Sequence, residues 1–185
     1  MTRMDSDRRS KWERPAVGAG AAELPIDYYQ RDKVVIASFR NVGIAMYGAQ
    51  ATMQTVRTIG AMTADIVKTY PRLSFVSFIL DNVPMPSDET RQSFVRVVEA
   101  GDPYLACLVY VMSGEGFWAS ATRSLLTNTA WVRQRRFLPR ICATVQEAAS
   151  WMAPMHSERT GVAITASELV DVLNACARTQ ALSAR

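Results

Sequence analysis

Histidine is nearly absent from this chain of 185 residues. His156 is the single one, and there are only three cysteines, Cys107, Cys142 and Cys176. The cysteines lie far apart in apolar surroundings, form no CxxC pair and have no histidine beside them. A zinc or other metal centre is therefore not expected, whereas reduced, buried thiols are. The same scarcity bears on catalysis. With no Ser/His/Asp spacing, no glycine-flanked nucleophile and no carboxylate pair in an apolar strand, acid–base and covalent chemistry lack their usual groups. No catalytic residue, no enzymatic activity and no cofactor is expected. Asp81, at the end of an apolar run, is the one carboxylate placed where a general base could sit. Long apolar runs are missing too: no stretch approaches 18 residues, and MTRMDSDRRSKWERP at the N-terminus has no apolar segment of the kind a secretory signal needs. This predicts a cytoplasmic protein without a membrane span. Nor is there a strong charge excess, since 21 Lys and Arg face 17 Asp and Glu. Arg133, Arg135, Arg136 and Arg140 gather in WVRQRRFLPR. Without a recognisable binding motif they read as a solvated helix end, and a nucleic-acid partner is disfavoured.

What is present describes one α/β domain with appendages. Residues 1–25 combine charge with AVGAGAAE and have almost no periodic apolar pattern, so they read as a disordered or extended tail. From Tyr28, two β-rich runs flank Arg31-Asp32-Lys33 and predict a hairpin. Gly43 and Gly48 then read as loop punctuation. Val56, Ile59, Met62, Ile66 and Tyr70 recur at spacings of three and four, which predicts a helix ended by Pro71. LSFVSFIL (73–80) and YLACLVYVM (104–112) are nearly continuous in their apolarity, as strands covered on both faces are. Between them Pro84 and Pro86 end the first strand, and Arg91, Phe94, Val95 and Val98 mark a helix that Ser87 would cap. Ala121, Leu125, Thr129 and Val132 suggest a further helix, and FLPRICATV a short strand after Pro139. The Thr144–Glu147 and Thr165–Glu168 spacings each suit a capping box, in which two side chains satisfy the free N–H groups of a helix start.

The alternation predicts an α/β fold: a mixed, mostly parallel sheet of four to five strands with helices on its faces, plus an extra C-terminal helix. Residues 26–154 would form this domain, and 155–185 a polar linker and an amphipathic helix. The order of elements from residue 28 to about 154 resembles the STAS domain, the small α/β module of anti-sigma factor antagonists and of the cytoplasmic ends of anion transporters. Ser87, after the strand 73–80, stands where that family carries Asp-x-Ser-Gly, and FLPRICATVQEAASWM is similar to its last strand and helix. Here the loop reads Asn82-Val-Pro-Met-Pro-Ser-Asp, with no glycine after the serine. The resemblance implies a regulatory protein–protein role and a serine phosphorylated by a partner kinase. A related lipid-binding fold with a similar order of strands and helices is a second resemblance.

Three candidate sites follow. Ser87 is read as a helix cap and as a candidate phosphosite. Asp81, Asn82, Ser87, Gly114, Gly116 and Phe117 would share the rim at the carboxyl ends of the strands, where open α/β sheets bind ligands, and so form a candidate ligand or partner loop. Leu169, Val172, Leu173 and Cys176 make a stripe on the last helix, which is read as a partner surface because the core already looks closed without it. The expectation is a non-enzymatic regulatory or scaffold module that binds a protein partner, itself in a homo-oligomer and also a second protein. The alternative is a small-ligand or lipid-binding domain using the strand-end loops.

Overall fold

The computed structural model describes residues 24–80, 83–112 and 136–183. The predicted tail up to residue 23 and the helix predicted around Ala121–Val132 lie outside them. The described elements run β1 (Ile26–Arg31), β2 (Val34–Phe39), β3 (Val42–Tyr47), α1 (Met53–Thr69), β4 (Leu73–Ile79), α2 (Asp88–Gly101), β5 (Leu105–Met112), β6 (Leu138–Cys142), α3 (Val145–Thr160) and α4 (Ala166–Ser183). The six strands form one sheet in sequence order, antiparallel from β1 to β3 and parallel from β3 to β6. The fold is α/β as expected, with six strands in place of four or five.

The additional strand is β3, which the sequence reading took for a loop because of Gly43 and Gly48. Gly43 serves packing instead. A Cβ there would lie 2.8 Å from the Phe75 ring and 3.0 Å from the Met62 methyl, so the bare backbone is what lets β4 and α1 close on it. β3 joins β2 through a tight turn in which Arg40 takes a left-handed conformation (φ 52°). Both strands are buried at every position. Side chains alternate between the two faces: Val35, Ala37 and Phe39 of β2 enter one core, and Val34 and Ile36 the other.

Each face has its own helical cover. Ile59, Met62 and Ile66 of α1, with the partly buried Phe94, Val97 and Val98 of α2, pack on the face of Val34 and Ile36. Ala148, Ala149 and Met152 of α3 and Leu169, Val172, Leu173 and Cys176 of α4 pack on the face of Val35, Ala37 and Phe39. Topology explains the division. Because the strands advance in one direction without reversal, right-handed crossovers place α1 and α2 on the same side, and the other side must be covered by the chain that follows β6. The stripe on α4 is therefore core: its four residues are each 0% exposed. This corrects the reading of that stripe as a partner surface and of α4 as surplus to a closed domain.

The domain boundary at Pro154 is also corrected. α3 continues through Pro154 to Thr160 and ends where Gly161 adopts φ 73°. Proline removes one helical hydrogen bond there, but the following turn carries His156 into the core, and that burial keeps the helix intact. Thr165 and Glu168 form the predicted capping box of α4: Glu168 N–H donates to Thr165 Oγ1 at 3.1 Å, and Thr165 N–H to Glu168 Oε2 at 2.9 Å. Among the described residues no helix is long and apolar enough to cross a membrane.

Leu173→Ala is expected to destabilise the protein by about 2–5 kcal/mol, the cost of a cavity in a packed core. An exposed stripe residue would change stability by no more than about 0.5 kcal/mol. Denaturant unfolding separates the two.

Candidate functional site

The carboxyl ends of β3 and β4 meet at one rim of the sheet. There the Leu80 N–H donates to the Tyr47 carbonyl at 3.0 Å, and the Gln50 amide donates to the Met85 carbonyl, pinning the 83–87 loop to the segment before α1. Ser87 ends this loop as the N-cap of α2. Its Oγ accepts the Thr90 N–H at 3.3 Å and shares a 2.9 Å hydrogen bond with the Thr90 hydroxyl. The predicted cap is present. Asp88 and Glu89 follow in the first turn, where the helix dipole favours negative charge, and Arg91 one turn further on pairs with Asp88. Asp81, Asn82, Gly114, Gly116 and Phe117 lie outside the described residues.

Beside this rim a cleft of about 410 Å³ opens between the β1–β2 turn and the start of α1. Gln30, Asp32, Lys33, Gln50, Thr52 and Thr55 are among the residues lining it. Thr52 and Thr55 are held by a reciprocal capping box, with N–H to Oγ1 distances of 3.1 and 3.4 Å. The Gln30 amide nitrogen donates to both carboxylate oxygens of Asp32, at 3.0 and 3.1 Å, and among the described residues its buried amide oxygen has no partner. The cleft is thus lined by neutral polar groups with one charge of each sign, and by apolar surface that includes Val34 and Ala49.

A second polar constellation lies in the core, near the opposite end of the strands. The Cys107 thiol donates to Ser74 Oγ at 3.1 Å, and Ser74 Oγ and His156 Nδ1 share a hydrogen bond of 2.9 Å. All three residues are 0% exposed. With Ser74 Oγ–H donating its hydrogen bond to Nδ1, the chain thiol to hydroxyl to imidazole is satisfied by a neutral ring whose proton sits on Nε2. Among the described residues Nε2 has no partner.

Burial, with the nearby Arg40 charge adding to it, pulls the His156 imidazole down to about 4. Burial pushes the Cys107 thiol up to about 11, against the opposing effects of Ser74 and Arg159. The arrangement has the groups of a nucleophile–base relay, held in their neutral forms and out of reach of solvent. Its physical role is to bind α3 to β4 and β5.

The cations near this end are themselves engaged with α3 and α4. Arg40 donates to the Ala163 carbonyl at 2.7 Å and pairs with Glu168 at 2.9 Å, while Arg72 reaches the Arg159 carbonyl in the last turn of α3 at 3.5 Å. Positive charge there complements the negative end of the helix.

The sequence reading missed the Cys107–Ser74–His156 contact because its members lie on β5, β4 and α3 and only the register brings them together. One signal was available. Ser74 interrupts an apolar strand on the face it shares with Val76, and a polar side chain entering a core needs a partner. Comparison of the chain with protein-family models, curated proteins and solved structures finds no match.

The neutral imidazole makes stability depend on pH. Its folded value lies below the ordinary value near 6.5, so the unfolded chain takes the proton first. Stability is then lost as pH falls from about 6.5 to about 4, by about 3 kcal/mol in all. Between pH 7 and pH 4.5, wild type should lose about 2–3 kcal/mol more than His156→Gln in urea unfolding. Equal losses would contradict the assignment.

Proposed function

We propose that the chain is a non-enzymatic regulatory or scaffold module that works by protein–protein contact and self-associates, with a second protein as a further partner. The observation that carries this reading is where its reactive groups lie. The only histidine and all three cysteines are buried, with the His156, Cys107 and Cys176 side groups shifted toward their neutral forms. Groups so placed stabilise a scaffold and offer nothing to a substrate. The surface supports the same reading: α2 fully buries only Thr90 and Gly101, and Val95 and Tyr104 nearby are each 43% exposed. The STAS resemblance, in which an α/β module presents a helix start to a protein partner, agrees with a role of this kind for the Ser87 end of α2. Light scattering of the full chain over a hundredfold range of concentration tests self-association. The expected result is a mass that rises from monomer to dimer, and a constant monomer mass would overturn it.

A second reading is favoured by the cleft of about 410 Å³, a volume within the range of small-ligand sites. On this reading the cleft lined by the β1–β2 turn and the segment from the end of β3 to the start of α1 binds a small polar molecule or a lipid headgroup. A thermal-shift panel of nucleotides and short-chain lipids should then show a saturable stabilisation that Lys33→Ala abolishes. A flat response across the panel would remove the reading.

A further inference from the structure

Gln180 of α4 is 8% exposed, and among the described residues its amide has no hydrogen-bond partner. A buried amide carries two N–H donors and a carbonyl acceptor, and leaving them empty costs free energy. The backbone makes room for this group all the same. A Cβ at Gly48 would collide with the Gln180 amide nitrogen and would lie 2.9 Å from the Lys33 carbonyl oxygen. The Gly48 N–H donates to that carbonyl at 2.8 Å. Lys33, Ala49 next to Gly48, and Ser183 one turn beyond Gln180 all line the cleft of about 410 Å³, so the amide adjoins its α4 side. Among the described residues the unpartnered polar atoms sealed from outside are Gln30 Oε1, Asn41 Oδ1 and His156 Nε2, and the Gln180 amide is not one of them.

The charged residues of the lining are Asp32 and Lys33. Both are exposed, and among the described residues neither has an ion-pair partner. The Asp32 carboxylate accepts only neutral donors, the Gln30 amide and the Val34 N–H at 2.7 Å. Arg31 beside them is held over the Tyr28 ring, 4.1 Å from its centre, and is not part of the lining. A simple anion in the cleft would meet Asp32, and a simple cation would meet Lys33. A molecule carrying both charges satisfies the two at once. We propose that the cleft binds a small zwitterion, an ammonium and an acidic oxyanion in one molecule, and that Gln180 hydrogen-bonds it. A free amino acid and an amino-bearing lipid headgroup share this chemistry. The inference rests on the second reading above, that the cleft holds a small molecule, and names its class.

The test is calorimetric titration of the full chain with free amino acids, with glycerophosphoethanolamine as a soluble headgroup, and with acetate, methylamine and nucleotides as controls. One of the zwitterions should bind saturably, and which of the two kinds does so identifies the source. Asp32→Asn, Lys33→Ala and Gln180→Met should each weaken that binding by about tenfold or more, the loss of one charge-assisted or buried hydrogen bond. Gln180→Met should not lower the thermal midpoint, because it removes a buried amide that has no partner in the free protein. A lowered midpoint with unchanged affinity would make Gln180 structural and overturn its assignment. Acetate or methylamine binding as tightly as the zwitterions, or a response to nucleotides alone, overturns the ligand class and leaves the cleft reading standing. Silence across the whole set overturns both.

Discussion

Two-sided burial of the sheet is the constraint on which the other features depend. Every residue of β2 and β3 is buried, so neither face of the sheet's middle can be left to water. The strands advance from β1 to β6 without turning back, and chirality directs their crossover helices to one side. The second side remains to be closed, and α3 and α4 close it. What looks from the sequence like a domain followed by a surplus helix is one three-layer unit whose last helix is as much core as its strands.

That requirement also governs the polar chemistry. α3 lies over β4 and β5, and its imidazole enters an otherwise apolar interface where only hydrogen bonds can compensate for lost water. Ser74 provides one, to Nδ1, and itself accepts from Cys107. The helix ends meeting this pole are met by Arg40 and Arg72, so the cations and the buried relay support the same cover. With these groups engaged inward, the outer surfaces are left for contact, and α2, which buries least, is the face proposed for protein contact.

Much of this was legible in the sequence where a local rule suffices. The spacing of Val56, Ile59, Met62 and Ile66 located α1, the continuous apolarity of LSFVSFIL and LACLVYVM located β4 and β5, and Ser87, Thr144 and Thr165 marked helix starts that are present. The remainder depended on tertiary contact. Gly43 reads as a breaker until Phe75 and Met62 are seen against it. Pro154 reads as a stop until the burial of Met152 and His156 on either side shows why the helix persists. An apolar stripe such as Leu169–Cys176 states that something covers it and does not state whether that is a partner or the chain's own sheet. Of the candidate site, Ser87 was legible as a cap, whereas the contact of Ser74 with Cys107 and His156 was not, since no local pattern links residues on three elements.

The central claim is that α4 is an integral layer of the core and not an attached helix. Native-state amide hydrogen exchange of the intact chain tests it most directly. The account predicts that the amides of residues 169–176 in α4 exchange as slowly as those of β3 and β4, through the same global opening. Rapid exchange of α4 at low free energy, with the strands still protected, would contradict it.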